Sequence, residues 1–244
     1  MKYSVVIPVY NAALTLHSLV KKLQAVFSEL ESDFELIFVD DFSQDDSWRI
    51  IEELHWDFPK QIKGVKLVQN FGQQSATFCG FSFASGDFII SIDDDLQLPP
   101  SEIKKLIQQQ KKRDYDIVYA NYRKKQQHLI RNIGSQIFQF SQKKFWNLPQ
   151  GFSSFRLIKK EVIQKVILYK GEKLFIDTLL MRNTQKRGFV FINHQERKKG
   201  KSAYTFRKLF SVLWHSFISI LENPSSPKKN FKATKPLFII EKRL

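Results

Sequence analysis

Residues 87–100 read DFIISIDDDLQLPP. An apolar run feeds directly into three consecutive aspartates, and two prolines close the stretch. A run of this length bounded by turn formers predicts a strand over 87–95 that ends in acids. Proline then opens a helix over 99–112, which ends in basic residues as the helix dipole favours. The pattern repeats on both sides. Strands are predicted over 3–10 (YSVVIPVY), 34–41 (FELIFVDD), 64–70 (GVKLVQN) and 116–122 (DIVYANY). Helices are predicted between them over 12–30, 46–54 and 73–84. This alternation predicts an α/β fold, a Rossmann-like and mostly parallel sheet flanked by helices. Strands that are apolar throughout are covered on both faces.

Open α/β sheets bind ligands beyond the carboxyl ends of their strands. Those ends here carry Tyr10, Asn11, Asp40, Asp41, Asn70, Asp93, Asp94 and Asp95. Five carboxylates therefore gather at one edge. Asp93 and Asp95 alternate along the chain and can share a face. Hard divalent cations take such oxygens, together with phosphate oxygens; capping of the next helix and plain solvation are the alternatives. Asp40 and Asp41 suit a ribose hydroxyl or base edge, or the capping of a helix near Asp46. The chain holds neither a phosphate-binding P-loop nor a GxGxxG after a strand.

Composition narrows the class. The 244 residues are 43% hydrophobic, enough for one domain, or one domain with a small appendage. A single cysteine, Cys79, excludes a disulfide scaffold and a cysteine-rich zinc site, and packing is its expected role. No run of 18 apolar residues occurs and the N-terminus lacks signal-peptide character, so the expectation is cytoplasmic. The net charge of +15 is uneven. Residues 1–120 hold 12 Lys+Arg against 18 Asp+Glu, and residues 121–244 hold 27 against 6. A basic half attracts nucleic acid, anionic lipid or phosphorylated substrates.

The second half is less regular. A helix with a basic lining is predicted over 128–146, a strand or extended segment over 152–158, a helix over 175–186 and a strand over 189–193. Residues 195–202 read as a basic loop. Residues 206–221 are amphipathic, with Phe206, Leu209, Phe210, Leu213, Phe217 and Leu221 on one stripe. Such a stripe fits a core-packing helix or an interfacial one. Residues 223–244 read as a loosely packed tail.

Four segments occur in register: VVIPVYN at 5–11, VDDFSQD at 39–45, QNFGQQSATFCGFSFASGDFIISIDDDLQLPP at 69–100 and QERKKGKSAYTFRKL at 195–209. Together they resemble the family 2 glycosyltransferases of the GT-A fold. Within these they are similar to the branch of dolichol-phosphate mannose synthases and bacterial polyprenyl-phosphate glycosyltransferases. The resemblance implies a catalytic domain over 1–205, with a nucleotide-sugar half at 1–122 and an acceptor half at 123–205. Residues 206–244 would then form a membrane-facing amphipathic helix and tail.

The resemblance also implies roles. Pro8, Tyr10, Asn11, Asp40, Asp41, Asn70 and Gln74 would bind the donor, with Asp93, Asp94, Arg197 and Ser202. Asp93, Asp95 and Gln97 would hold a divalent cation, Mg²⁺ or Mn²⁺, with Asp95 central to catalysis. Arg123, Arg131 and Tyr204 would face the acceptor. The partners implied are a nucleoside-diphosphate sugar, a lipid-linked acceptor and an anionic membrane surface, with no nucleic acid; a homo-oligomer is compatible with this. The enzyme would be peripheral at the inner face of the cell membrane.

Two features depart from the branch. Ser153-Ser154-Phe155-Arg156-Leu157 stands where many relatives have GDFRL, and the transmembrane helices of many relatives have no counterpart in this chain. A phosphate acceptor is already ionised, whereas a hydroxyl acceptor needs a base. Asp177 lies near where other family 2 enzymes keep their catalytic acid, and it equally suits a helix N-terminus. A nucleotidyltransferase and a nucleic-acid-binding protein are the competing classes. The first would release pyrophosphate. The second lacks any of the usual nucleic-acid motifs.

Overall fold

The computed structural model describes residues 1–122, 153–171, 174–192 and 236–244. These belong to one of two units into which the chain divides, namely Met1–Arg123, Phe152–Glu196 and Ala233–Leu244. The predicted elements over 128–146, 195–202 and 206–221 lie outside the described residues.

Eight strands form one mixed sheet. They are β1 (Lys2–Val9), β2 (Asp33–Asp40), β3 (Ile62–Leu67), β4 (Phe88–Ser91), β5 (Ile117–Tyr122), β6 (Arg156–Lys159), β7 (Arg187–Ile192) and β8 (Ile240–Arg243). Their order is β7-β5-β6-β4-β1-β2-β3-β8. The β1, β2, β3 and β4 pairings are parallel, as is β5 with β7. β6 is antiparallel to both β4 and β5, and β8 is antiparallel to β3. The helices are α1 (Leu16–Glu29), α2 (Ser47–Asp57), α3 (Gln73–Phe81), α4 (Ile103–Arg113), α5 (Lys160–Val166) and α6 (Ile176–Asn183).

Side chains alternate across the sheet and build two cores. Val5, Ile7, Leu36 and Phe38 pack with α1, α2 and α4 on one face. Val6, Ile37 and Val39 pack with α3, α5 and α6 on the other. Burial on both faces is why these strands read as unbroken apolar runs. α3 lies close on the sheet. A Cβ on Gly80 would sit 2.4 Å from Val6 Cγ1, so glycine permits the approach. Cys79 is buried on this helix, where burial pushes its thiol up to about 12 and leaves it a packing group.

Two expectations are corrected, and one element is additional. β4 stops at Ser91 rather than running through the aspartates, because Ile92 N–H makes the last ladder bond, to Val6. The acids then leave the sheet. The tail is not loose at its end. Leu237, Phe238 and Ile240 join the second core, and β8 covers the open edge of β3. Helix α5 was not foreseen; Val162, Ile163 and Val166 give it a short buried stripe.

Candidate active site

The strands β1, β2 and β4 finish at one edge, and the predicted residues of the first half meet there. Pro8 is buried in β1. Tyr10 and Asn11 follow it, exposed. The loops after β1 and β2 are zipped together. Asn11 N–H donates to Ser43 Oγ at 3.0 Å, and Gln44 N–H donates to Asn11 Oδ1 at 2.8 Å. Asn11, Phe42 and Leu96 hold φ of 55°, 64° and 59°. Left-handed non-glycine residues cost on the order of 1 kcal/mol each and gather where function requires them.

Asp41 is nearly fully buried. Its carboxylate takes Phe71 N–H at 2.7 Å and Gly72 N–H at 2.8 Å, and Asn70 Nδ2 donates to its carbonyl at 3.2 Å. Gly72, at φ 89°, caps α3 there. Asp41 thus fixes the start of α3. Burial raises its pKa against these two donors. Asp40 is fully buried. Ser43 N–H reaches its Oδ2 at 3.3 Å, while its Oδ1 finds no hydrogen-bond partner among the described residues. Burial raises its pKa as well.

The aspartate run divides by direction. Asp93 takes Gln73 Nε2 at 2.5 Å and Ser154 Oγ at 2.7 Å. Asp94 takes Tyr10 N–H at 3.1 Å and staples the end of β4 to the end of β1. Asp95 takes Gln97 N–H at 3.1 Å, and the side chain of Gln97 is half-buried. Burial, followed by the charges of Asp93 and Asp95, pushes Asp94 up to about 7. Burial raises Asp93 too, and Asp95 adds to the rise.

Whether this set suits a divalent cation can be judged from its donors. No group of three or more His, Cys, Asp or Glu set to hold a metal occurs among the described residues. Mg²⁺ and Mn²⁺ sites at phosphates need only one or two carboxylates, because the substrate supplies the rest. Asp93, Asp94 and Asp95 are consecutive past the end of β4, burial raises the first two, and both donors on Asp93 are neutral. The residues fit such an ion.

Asp177 comes to the same region from the first turn of α6. It pairs with Arg156 of β6, which is 2% exposed. Burial raises the pKa of Asp177 and Arg156 lowers it, with a net rise. Gln74 is turned to α6 as well: Ile176 N–H donates to its Oε1 at 3.1 Å. The resemblance places the segment 70–74, Gln73 included, under the donor, whereas Ser91 and Arg156 were passed over as contributors. A lone arginine in the apolar run FRLI was the available signal, since a buried charge needs a partner. Arg123, Arg131, Arg197, Ser202 and Tyr204 lie outside the described residues.

Comparisons with known proteins give the family and the fold. The profile described as glycosyl transferase family 2 matches residues 4–167. An undecaprenyl-phosphate 4-deoxy-4-formamido-L-arabinose transferase of Proteus mirabilis (strain HI4320) is 32% identical over 215 residues, covering 87% of this chain and 66% of that protein. The protein of the same name from Klebsiella pneumoniae subsp. pneumoniae is 29% identical over 225 residues, covering 91% and 68%. The chain thus spans about two thirds of the length of these relatives. Among solved structures, glucosyl-3-phosphoglycerate synthase from Mycobacterium tuberculosis, with Mn²⁺ and UDP-glucose, superposes with a TM-score of 0.64 at 17% identity, covering 93% of this chain and 80% of that one. S. aureus TarS with UDP-GlcNAc gives 0.60 at 18%, covering 93% and 68%. At these identities the likeness is one of fold, the GT-A fold.

Proposed function

Because the chain belongs to glycosyl transferase family 2, we propose that it moves a sugar, with inversion, from a nucleoside-diphosphate sugar to a polyprenyl phosphate or another lipid-linked acceptor. The observation that carries the donor side is the placement of the acids: Asp93, Asp94 and Asp95 follow the end of β4, with Asp93 held by the neutral donors Gln73 and Ser154 and Asp94 by Tyr10 N–H. The relatives named for undecaprenyl phosphate support the acceptor class.

In this reading the loops zipped through Asn11 hold the nucleoside, and the buried Asp40 and Asp41 fix those loops and the start of α3 from behind. Asp93 and Asp95, with Gln97 beside them, would hold Mg²⁺ or Mn²⁺. When bound, the ion supplies charge neutralisation of the departing diphosphate. The acceptor oxygen attacks the anomeric carbon opposite the diphosphate. That C–O bond forms as the sugar–phosphate bond breaks, and the nucleoside diphosphate leaves with the electron pair. An ionised phosphate acceptor has no proton to lose, so no base is required for it.

Charge supports a membrane-facing partner. Residues 123–152 and 193–235 carry 16 Lys+Arg against 2 Asp+Glu, which leaves the rest of the chain within one charge of neutral. Such basic segments suit anionic headgroups and an acceptor phosphate. Among the described residues no helix is long and apolar enough to cross a membrane, and attachment at the inner face is proposed as peripheral.

The test is calorimetric titration with UDP, GDP and dTDP, with and without Mn²⁺, followed by an assay of transfer to a short polyprenyl phosphate. Mn²⁺-dependent binding of one diphosphate and a glycosylated lipid are expected. Binding of none by the folded protein, or release of pyrophosphate in turnover, would overturn the reading.

A further inference from the structure

The hydrogen bonds behind the acid edge close into a ring. Gln73 Nε2 donates to Asp93 at 2.5 Å, and the next residue, Gln74, accepts from Ile176 N–H at 3.1 Å. Asp177 follows Ile176 and holds Arg156. Arg156 Nε donates to Ser91 Oγ at 3.1 Å, and Ser91 Oγ donates to the Ser154 carbonyl at 2.5 Å. Ser154 Oγ returns to Asp93 at 2.7 Å. Sheet register sets the geometry, because Arg156 lies directly opposite Ser91 on β4 and opposite Tyr119 on β5.

We infer that Arg156 is a positioning residue for Asp93, and that Asp177 serves the reaction as the counterion of Arg156. The inference rests on the donor site proposed above. Three properties support it. Arg156 and Ser91 are each only 2% exposed, so neither meets substrate from solvent. The guanidinium keeps its charge at every working pH, so its burial requires a fixed anion, and Asp177 is the one it is paired with. Both Asp93 oxygens are held by neutral donors, Gln73 and Ser154, and each donor belongs to the ring. Neutral donors orient a carboxylate without cancelling its charge, which leaves that charge available to a cation. An acid at position 154 would face Asp93 with like charge. Serine there converts the contact into a hydrogen bond.

The experiment compares wild type with Arg156→Lys, Arg156→Met, Asp177→Asn, the Arg156→Met/Asp177→Asn double variant and Gln74→Ala. The first readout is the Mn²⁺ concentration that half-saturates binding of UDP, GDP or dTDP, whichever binds wild type most tightly. The second is kcat at saturating Mn²⁺, and the third is the melting temperature. Arg156→Met and Asp177→Asn are expected to raise the Mn²⁺ requirement by similar factors, about 10-fold or more. The double variant is expected to be no worse than either, since both break one unit. Arg156→Lys should fall between these and wild type. Gln74→Ala, at an exposed position, should shift the requirement by about 3-fold. The double variant removes the buried charge together with its partly exposed counterion, so the test survives if a single variant fails to fold.

Two results would overturn the inference. One is an unchanged Mn²⁺ requirement in all the variants. The other is a loss of 10²-fold or more in kcat confined to Asp177→Asn with that requirement unmoved, which is the behaviour of a general base. Failure of wild type itself to bind any of the diphosphates with Mn²⁺ would instead overturn the donor reading.

Discussion

Glu35 and Asp94 lie at opposite ends of the same parallel strands, and their surroundings shift their acidities in opposite directions. Burial alone would raise both. At Glu35 the opposition wins. Lys63 Nζ stands 2.7 Å away, Ser4 Oγ donates at 2.6 Å, and Ser85 donates through N–H at 2.7 Å and Oγ at 2.8 Å. The carboxyl falls to about 2. At Asp94 backbone donors, Tyr10 N–H first among them, face burial and two neighbouring carboxylates, and the carboxyl rises to about 7. A carboxylate buried to hold the fold is matched completely. Past the end of β4 consecutive carboxylates face one another, and burial and their mutual charge raise Asp93 and Asp94.

The contrast breaks most visibly at the acid end. Asp95→Ala is expected to lower sugar transfer by at least about 10³-fold while the melting temperature stays within a few degrees of wild type. Retention of a tenth of the activity would detach this edge from the chemistry. At the other end Glu35→Gln leaves Lys63 without its carboxylate and should cost about 3 kcal/mol in urea unfolding at pH 7. Activity per folded molecule should be unchanged.

The pH dependence sharpens the comparison. The folded pKa of Glu35 is depressed from 4.5 to about 2. Its contribution is therefore present above about pH 4.5 and lost as pH falls towards 2. The difference between Glu35→Gln and wild type should shrink over that window. Asp94 is raised from 3.8 to about 7, so its charge costs stability above pH 7, and that cost vanishes below about 4. Asp94→Asn should gain about 1 kcal/mol at pH 8 and nothing at pH 3.5. A melting series across pH, without metal, reads both signs in one experiment. Loss of stability in Asp94→Asn at pH 8 would mean that the acid end is matched after all.

Much of this fold is legible in the sequence because its first half is local. Each strand of the first half is a short apolar run, α1, α2 and α4 each have their own stripe, and the acids sit where the runs end. Asp40, Asp41, Asp93, Asp94 and Asp95 could be placed together from periodicity and one rule of sheet topology. The insertion of β6 between β4 and β5 was not legible. It joins Arg156 to Ser91, 65 positions apart, and no local pattern encodes a non-local pairing. Residues 156–159 and 240–243 are too short to separate strand from coil by period alone. Gln73, Ser91 and Ser154 are ordinary polar residues until the sheet brings them round Asp93.

The pairing of β8 with β3 has a consequence for how this chain can change. β7 and β8 are the two outermost strands of the sheet. β7 ends, and β8 begins, at the edge where the acids lie. Residues 193–239 therefore start at one margin of the sheet and finish at the other, seven strand spacings or roughly 34 Å apart. So long a stretch has contour to spare, and loop closure becomes costlier only slowly with length. Residues 123–155 likewise leave β5 and return to β6 at that edge. Ser154 and Phe155 in one stretch, and Leu237 and Phe238 in the other, are held by the acid edge and the cores. Between these anchors the register of the strands sets no length for either stretch, so insertions there can accumulate while the acid edge stays in place.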